Sequence, residues 1–321
     1  MTQPDRDINN LITMSCLGKR GRYGNQVFQY AFLRTYAKRY GLDYQCPPWI
    51  GQRLFGHEDP PLSEALPTYH ERRQQSMNPA GLNECYPPDG DEVRGHDFLG
   101  YAQPHTRYYT PDKEFIQGLF QGHPVLETGF DEPLAKLRRR GSTIIGLHMR
   151  RGDYGRFIFY LTPNQWYLKW LDENWGRFDN PVLFIASEDP NDADIFDQYP
   201  RVTSADLLSL SDEPYGVYNY LQPDMENSTP TKMDWFPDWY FLTQCDVLAI
   251  ANSTFGFTAA MMAQGIQECW RSRLSTQAFE RIDPWDSLPL VREDLRDHPG
   301  IPGTWLDDNP NWLGGGVQGK T

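Results

Sequence analysis

Apolar and polar residues follow two different periods along this chain of 321 residues. Between positions 25 and 40 the apolar side chains recur every three or four residues, which predicts an amphipathic helix that ends at Gly41. The apolar run at 11–17 predicts a strand in front of this helix. The segment 47–97 is rich in proline, glycine and charge, and it predicts long loops with short elements.

A regular alternation of strands and helices begins at residue 142. The pattern predicts strands over 143–149, 181–186 and 246–251, helices over 163–175, 191–198, 238–245 and 255–264, and a loop over 211–234. Such an alternation predicts a parallel sheet that is covered by helices on both faces. Ligands of these sheets bind at the carboxyl ends of the strands, so the residues that follow the strands are the first candidates for a site.

The length of the chain suits two domains of ordinary size. We predict an α/β protein with an N-terminal α/β domain over 1–140 and a C-terminal Rossmann-like domain over 141–290. The remaining residues, 291–321, are predicted to form a tail that is frayed from Pro310 onwards.

Charge and composition exclude several classes of partner. The net charge of −13 and a pI near 5.0 oppose binding to nucleic acid or to an anionic membrane surface. The first residues are polar and acidic, and no segment is apolar for long enough to cross a bilayer, so we expect a soluble, cytoplasmic protein without a transmembrane segment. The five cysteines form no C-x-x-C pair and the seven histidines have no ligand spacing, so neither a disulfide framework nor a metal site is predicted.

Two motifs that lie about 120 residues apart in the sequence carry the clearest chemistry. A glycine-hinged loop at 21–25 opens a helix and offers backbone N–H groups, and the pair Arg150–Arg151 leaves an apolar strand with fixed positive charge. Together these features are what a metal-free diphosphate site requires. The alternative for the arginines is an ion pair with Asp153 that fixes the loop.

A second strand end repeats this plan with different residues. The apolar strand at 246–251 is followed by Ser253 and Thr254 at the predicted start of a helix, where N–H groups and the helix dipole favour an anion. The alternative is an ordinary N-cap. Two such strand ends in one sheet favour a shared diphosphate site.

Four segments in order, at 21–31, 99–109, 148–154 and 238–255, carry a resemblance to a known family. The sequence resembles the α-1,2-fucosyltransferases of glycosyltransferase family 11, of the bacterial type without a membrane anchor. It is more distantly similar to protein O-fucosyltransferases and α-1,6-fucosyltransferases. The third segment, H-x-R-R-G-D-Y directly after a strand, is the most specific, and the similarity extends over about 10–265.

The resemblance implies a GT-B-like fold, with two Rossmann-like domains facing a central cleft. It implies inverting transfer of L-fucose from GDP-β-L-fucose, held by the C-terminal domain, to an oligosaccharide acceptor on the N-terminal domain. The expected acceptor is a β-galactoside such as lactose, fucosylated at its 2-hydroxyl. No cofactor and no metal are expected.

Roles carried over by the resemblance fall first on the strand exit. Arg150 would bind the β-phosphate and meet the charge of the leaving group, with His148 and Arg151 supporting the pocket. Asp153 is the carboxylate nearest in sequence and is the candidate catalytic base, although it could serve only to orient the arginines.

The resemblance assigns five further residues to the donor. Asn25 would lie near the sugar-phosphate. Asp238 would accept hydrogen bonds from the guanine N1–H and amine, and the alternative for it is a helix N-cap or first-turn carboxylate. Ser253, Thr254 and Phe255 would contact the diphosphate through hydroxyl and backbone groups.

The sequence departs from the family after Phe255, where relatives commonly continue Ser-Trp-Trp-Gly-Ala-Trp and this chain begins with Gly256. Acceptor contacts are therefore expected from the N-terminal half, from Trp49, Tyr101 and Tyr108. Two D-x-D triplets, at 89–91 and 192–194, resemble the metal motif of other glycosyltransferases, but an acidic chain produces such triplets freely. Two alternative functions remain open: a transferase of the same fold with another nucleotide sugar or another fucose linkage, and a non-catalytic carbohydrate-binding protein.

Overall fold

The computed structural model describes residues 8–71, 92–121, 124–155, 159–208, 222–223, 230–231 and 235–293. The chain divides into two compact units. Unit 1 comprises Met1–Gly129, Glu213–Met233 and Trp285–Pro289, and unit 2 comprises Phe130–Asp212, Asp234–Pro284 and Leu290–Thr321. Both units are therefore discontinuous in sequence, whereas the sequence predicts one boundary after residue 140.

Twelve strands are present in the described residues. They are β1 (Leu11–Thr13), β2 (Asp43–Gln45), β3 (Thr68–His70), β4 (His96–Leu99), β5 (Thr143–Met149), β6 (Pro181–Ser187), β7 (Arg201–Val202), β8 (Gln222–Pro223), β9 (Pro230–Thr231), β10 (Val247–Ile250), β11 (Glu268–Arg273) and β12 (Ala278–Ile282).

The same residues contain eight α-helices. They are α1 (Tyr23–Tyr40), α2 (Ile50–Phe55), α3 (Lys113–Leu119), α4 (Pro124–Arg138), α5 (Asn164–Asn174), α6 (Ser204–Leu207), α7 (Phe236–Thr243) and α8 (Thr254–Met262). The segment predicted as a helix at 191–198 is a 3₁₀-helix, Pro190–Phe196. The predicted loop at 211–234 and the frayed tail lie almost entirely outside the described residues.

Unit 1 contains a parallel sheet of four short strands in the order β2-β1-β4-β3. Helix α1 ends at Gly41, which adopts the left-handed conformation at φ 62° and donates its N–H to the carbonyl of Ala37. The chain leaves β1 towards the start of α1 through a turn that the buried Asp97 holds. Its carboxylate accepts the hydroxyl of Thr13 at 2.6 Å and the backbone N–H of Ser15 at 2.7 Å. A buried carboxylate thus fixes the chain before the glycine-hinged loop.

Unit 2 contains a sheet of six strands in the order β12-β11-β10-β5-β6-β7. All neighbouring pairs are parallel except β11 and β12, which are antiparallel. Side chains of β5 and β6 alternate between two helical layers. Ile145 and Leu183 belong to the cluster that packs under α5, whereas Phe184 lies 5.2 Å from the ring of Phe241 in α7. The sheet is therefore covered on both faces, as the sequence predicts.

None of the helices within the described ranges is long and apolar enough to cross a membrane.

Candidate active site

The parallel register of unit 2 brings three strand ends together. Strand β5 pairs with β6 from Thr143 opposite Pro181 to Met149 opposite Ser187, and with β10 through His148 opposite Ile250. The residues that follow these strands therefore lie at one edge of the sheet. They are Arg150 after β5, Glu188 after β6 and Ser253 after β10.

Arg150 is the centre of this edge, and its side chain is only 12% exposed. Its guanidinium donates one hydrogen bond to Glu188 and another to Asp153. It also lies over the ring of Tyr154, 5.1 Å from the centroid, which is within the range of a cation–π contact. The side chain is thus held in one orientation at the carboxyl end of a buried strand.

Glu188 holds the loop as well as the arginine. One carboxylate oxygen accepts from Arg150, and the other accepts the backbone N–H of Arg151 at 2.9 Å. Gly152 makes this approach possible, because its φ is +60° and a Cβ there would lie 3.1 Å from both carboxylate oxygens. The sequence analysis did not include Glu188 among the site residues, although Glu188 follows closely on the strand predicted at 181–186.

Arg151 points to a different set of partners from Arg150. It forms an ion pair with the buried Asp192 at 2.8 Å and donates to the side chain of Asn164 at 2.5 Å and to the carbonyl of Thr162 at 3.2 Å. The two adjacent arginines therefore have different partners. Arg151 ties the loop to the start of α5 and to the 3₁₀-helix, and its supporting role in the pocket stays a prediction.

His148 is buried in the last part of β5 and stacks on Phe255 with ring centroids 5.4 Å apart. Burial, together with the charges of Arg150 and Arg151, lowers the pKa of His148 to about 3, so the imidazole is neutral at physiological pH. A Cβ at Gly256 would lie 2.5 Å from the Nδ1 atom of this ring. The histidine therefore packs directly against the first turn of α8.

Helix α8 begins at Thr254, and Ser253 is its N-cap, with the side chain accepting the N–H of Phe255 at 3.3 Å. Asn252 precedes the cap, and its backbone carbonyl accepts the hydroxyl of Tyr154 at 3.1 Å. Tyr154 thus links the loop of Arg150 to the start of α8. The cap was one of two alternatives from sequence, and it is compatible with anion binding because the positive end of the helix dipole remains at this point.

Asp238 lies in the first turn of α7 and is half-buried. The helix begins at Phe236, two residues before the predicted start, with Trp235 as its N-cap. Asp238 is therefore a first-turn carboxylate rather than a cap. Its assignment to guanine stays a prediction.

Asn25 lies in the first turn of α1, in unit 1. Its side-chain oxygen accepts from the amide of Gln103 at 2.6 Å. Gly21, at φ +75°, packs against it so closely that a Cβ there would lie 2.3 Å from the Nδ2 atom of Asn25. The glycine-hinged loop and Gln103 together fix the orientation of this amide.

The three aromatic residues expected to contact an acceptor have different environments in unit 1. Trp49 is buried and packs against Tyr30 with ring centroids 4.7 Å apart, so its role is in the core, contrary to the expectation. Tyr108 is half-buried beneath Arg39 at 4.5 Å, and burial raises its pKa. Tyr101 is half-buried with Arg20 lying 5.2 Å from its ring centroid, and it remains a candidate.

In the part of the chain that the structure describes, no group of three or more His, Cys, Asp or Glu side chains could hold a metal ion. The triplet at 192–194 has arginine partners, because Asp192 pairs with Arg151 and Asp194 pairs with Arg201 at 2.9 Å. The triplet at 89–91 lies outside the described residues. Metal independence stays a prediction.

Comparisons with known proteins place the chain near one group of enzymes. No family model matches the sequence. The chain is 26% identical over 279 residues to galactoside alpha-(1,2)-fucosyltransferase 2 of Bos taurus, an alignment that covers 82% of this chain and 72% of the relative. It is 27% identical over 265 residues to the galactoside 2-alpha-L-fucosyltransferase SEC1 of Bos taurus, covering 78% of this chain and 64% of the relative.

Among solved structures, fucosyltransferase NodZ from Bradyrhizobium matches with a TM-score of 0.50 and 11% identity, over 86% of this chain and 99% of that chain. This likeness shows the fold and confirms the prediction of an α/β, GT-B-like protein. The predicted resemblance to α-1,2-fucosyltransferases is confirmed by the sequence similarity. Membership of glycosyltransferase family 11 and the bacterial type stay predictions.

Proposed function

We propose that this chain is an inverting fucosyltransferase that moves L-fucose from GDP-β-L-fucose to the 2-hydroxyl of a β-galactoside. The observation that carries the proposal is the oriented guanidinium of Arg150, which Tyr154 links to the start of α8. The similarity to galactoside α-1,2-fucosyltransferases over about four fifths of the chain supports it. In a carbohydrate-binding protein without a reaction this cation would serve only to hold the loop through Asp153 and Glu188.

The chemical step separates fucose from the diphosphate, and negative charge grows on the departing phosphate. Arg150 is placed to meet that charge, and the positive end of α8 adds to the same field. Both features are fixed before the reaction, so they stabilise the transition state without rearrangement of the site. The acceptor hydroxyl then attacks the opposite face of the sugar, which inverts the anomeric configuration.

The two carboxylates on Arg150 differ in how firmly they are held. Glu188 also accepts the backbone N–H of Arg151. Asp153 pairs with Arg150, which lies three residues before it in the sequence. Asp153 is the more exposed of the two carboxylates, at 57% against 38% for Glu188, so in our proposal an incoming phosphate displaces Asp153 rather than Glu188. In our proposal Glu188 therefore keeps the guanidinium oriented while the phosphate takes the place of Asp153.

The replacement of Asp153 by a phosphate affects the role of Asp153 as the candidate base. Asp153 lies against Arg150. If Arg150 binds the leaving group, as we propose, Asp153 would lie on the leaving-group side of the sugar, whereas an inverting reaction needs its base on the opposite face. Orienting Arg150 is thus the simpler role for Asp153. It can act as the base only if release from Arg150 lets its carboxylate reach the acceptor hydroxyl.

The remaining donor contacts are proposed from the resemblance and from the geometry of each unit. Asp238 would bind guanine, Ser253 and the first turn of α8 would bind the diphosphate, and Asn25 would face the sugar-phosphate. Neutral His148 supports this arrangement by packing against Phe255. No metal is needed, because arginine and helix-terminus charge would neutralise the diphosphate. Lactose as acceptor and a cytoplasmic location remain expectations from the sequence.

Incubation with GDP-fucose and lactose, with the linkage read by NMR, tests the proposal. An α-1,2-fucosylated galactose is the expected product. A different linkage would restrict the proposal to the donor. Transfer only from another nucleotide sugar, or binding of lactose without transfer, would replace it with one of the two alternatives.

A further inference from the structure

A pocket of about 230 Å³ opens in unit 2 between helix α5 and the β11–β12 hairpin. Its lining combines aromatic rings with polar and charged side chains. The residues that matter most are Trp166, Lys169, Trp170, Glu173, Trp270 and Gln277. None of these residues belongs to the cluster around Arg150, so the pocket is separate from the candidate active site.

One wall of the pocket follows from helical spacing. Trp166 and Trp170 lie four residues apart on α5, and Lys169 and Glu173 lie four apart beside them. Residues at this spacing share one helix face, so the two indoles form the floor while the charged pair lies at the rim. The Lys169 and Glu173 side chains are mostly exposed and their charged atoms lie 3.9 Å apart.

The other wall comes from the hairpin. Trp270 in β11 lies with its ring centroid 5.9 Å from that of Trp170, at an interplanar angle of 60°. Trp166 and Trp270 are only partly buried, so each presents part of an indole to the pocket. Gln277, at the end of the turn, has a φ of +51°, a strained value for a residue other than glycine, and it lines the pocket mouth.

A chain of hydrogen bonds fixes the two walls relative to each other. Arg177 donates to Asn174 at the end of α5 at 2.5 Å and to Glu268 in β11 at 2.8 Å. The indole N–H of Trp270 donates to the other oxygen of Glu268 at 2.9 Å, and Asn174 donates to the carbonyl of Trp170 at 2.8 Å. The indole of Trp270 is therefore held in place before any ligand arrives, which lowers the cost of binding.

We infer that this pocket is an accessory binding site for a single neutral pyranose, and a β-galactoside is the probe used to test it. A pyranose of this kind has an apolar C–H face, which suits an indole, and a rim of hydroxyls, which suits carboxylate, ammonium and amide groups. The volume of about 230 Å³ lies below the roughly 300–1,000 Å³ of pockets that hold drug-sized ligands, which favours one sugar ring over a longer glycan. The inference goes beyond the proposed function, because binding here needs neither GDP-fucose nor Arg150.

The test is a titration of the full chain with methyl β-D-galactopyranoside, followed through the ¹H–¹⁵N signals of the tryptophan indoles. Trp→Phe variants assign the signals of Trp166 and Trp270. Both signals are expected to shift saturably, and to do so equally in the Arg150→Ala variant and in the presence of GDP. Transfer of fucose to lactose is measured separately, so failure of one proposal does not touch the other.

Two kinds of variant make the result specific. Trp270→Leu removes one wall and is expected to weaken sugar binding up to about tenfold. The double variant Glu173→Ala/Gln277→Ala changes only exposed rim groups, so it should weaken binding without unfolding the unit. Trp175→Phe is the matched control, because Trp175 packs against Tyr199 with ring centroids 4.6 Å apart and does not line the pocket.

Three outcomes would overturn the inference. The first is the absence of any saturable shift of the Trp166 and Trp270 signals. The second is unchanged binding in both the Trp270→Leu and the rim variants. The third is loss of the shifts in Arg150→Ala or on addition of GDP, which would assign the sugar to the transferase centre instead.

Discussion

At the scale of single residues, Arg150 and Arg151 show how neighbours in sequence acquire different tasks. The side chain of Arg151 is committed to Asp192, Asn164 and a backbone carbonyl. The side chain of Arg150 is held by Asp153 and Glu188, and the carboxylate of Asp153 is largely exposed. Only Arg150 thus has a partner that an anionic ligand can replace at little cost.

Arg150→Ala should lower kcat by about a hundred- to a thousandfold, since removal of one oriented charge partner costs about 3–4 kcal/mol of transition-state stabilisation. Arg150→Lys should recover little of this loss, because a point charge does not reproduce the fork of a guanidinium. The matched control is Arg201→Ala, which removes a surface arginine that pairs with Asp194 and Asp197. If Arg150→Ala kept more than about a tenth of the wild-type rate, a loss of only about 1.4 kcal/mol, Arg150 would not be the main partner of the leaving group.

His148 should make stability depend on pH in a defined window. Burial and the two arginines lower its pKa in the folded state to about 3, below the ordinary value of 6.5. The unfolded chain therefore binds a proton below about pH 6.5 that the folded chain does not bind. The contribution of His148 to stability is fully present above that pH and falls by about 1.4 kcal/mol per pH unit from there towards pH 3.

The measurement for this prediction is urea unfolding at about pH 7 and about pH 5, followed for the wild type and for His148→Asn. The variant lacks the titrating ring, so its stability should fall less between the two pH values. Equal losses of stability in both proteins would mean that His148 is protonated in the folded state at the lower pH. The assignment of a neutral imidazole that packs against Phe255 would then be wrong.

Residue-scale reasoning from sequence reached Arg150 and Ser253 but not Glu188. Arg150 and Ser253 each follow an apolar strand, so one strand at a time is enough to single them out. Glu188 matters because the register sets Met149 opposite Ser187, which brings the residues after β5 and β6 together. A pairing between strands separated by a helix is a tertiary property, and no local pattern reports it.

At the scale of elements, those of unit 2 were predicted more closely than the first strand of unit 1. The apolar run at 11–17 forms a strand only over Leu11–Thr13. The strand at 143–149 is confirmed to the residue as β5, and the helix predicted at 163–175 is confirmed as α5 within one residue at each end. Strands β11 and β12 were not predicted. Their residues, such as Glu268, Arg271 and Arg273, interrupt the apolar pattern, because the hairpin lies at the edge of the sheet and is stabilised by ion pairs, including Arg273 with Glu293 at 2.7 Å.

Gly256→Ala should disturb the start of α8 and with it the donor site. The new methyl group would lie 2.5 Å from the Nδ1 atom of His148, and overpacking of this kind costs about 1–3 kcal/mol. We expect weaker binding of GDP, measured by calorimetry, together with a lower melting temperature.

Gly118→Ala is the matched control for this prediction. Gly118 is also helical, in α3, and a Cβ there would meet nothing within 4 Å. Because the change restricts only the unfolded chain, it should leave GDP binding unchanged and stabilise the protein by about 0.4–1 kcal/mol. Unchanged GDP affinity in Gly256→Ala would show that the packing of His148 on α8 does not position the donor site.

At the scale of the whole molecule, the chain crosses between its two units more often than the sequence indicates. Trp285–Pro289 belongs to unit 1, where three hydrogen bonds of 2.9 Å join Ser287 and Thr106. The carbonyl of Ser287 accepts the backbone N–H and the hydroxyl of Thr106, and the N–H of Ser287 donates to that hydroxyl. Composition and periodicity predict where elements lie along a chain. They carry no signal for a segment of five residues that returns to the other unit, so the discontinuity could not be predicted.

The whole enzyme should transfer fucose at an unchanged rate after treatment with EDTA. Asp192 and Asp194 of the acidic triplet at 192–194 are both paired with arginines, and Asp192 also accepts the hydroxyl of Ser187 at 2.5 Å. A metal could bind these carboxylates only by replacing those partners. In our proposal arginine and a helix N-terminus would instead supply the positive charge that a diphosphate needs. The assay compares initial rates with GDP-fucose and lactose before chelation, after it, and after addition of manganese or magnesium. Loss of activity that either metal restores would contradict the prediction and would assign the diphosphate to a metal-dependent site.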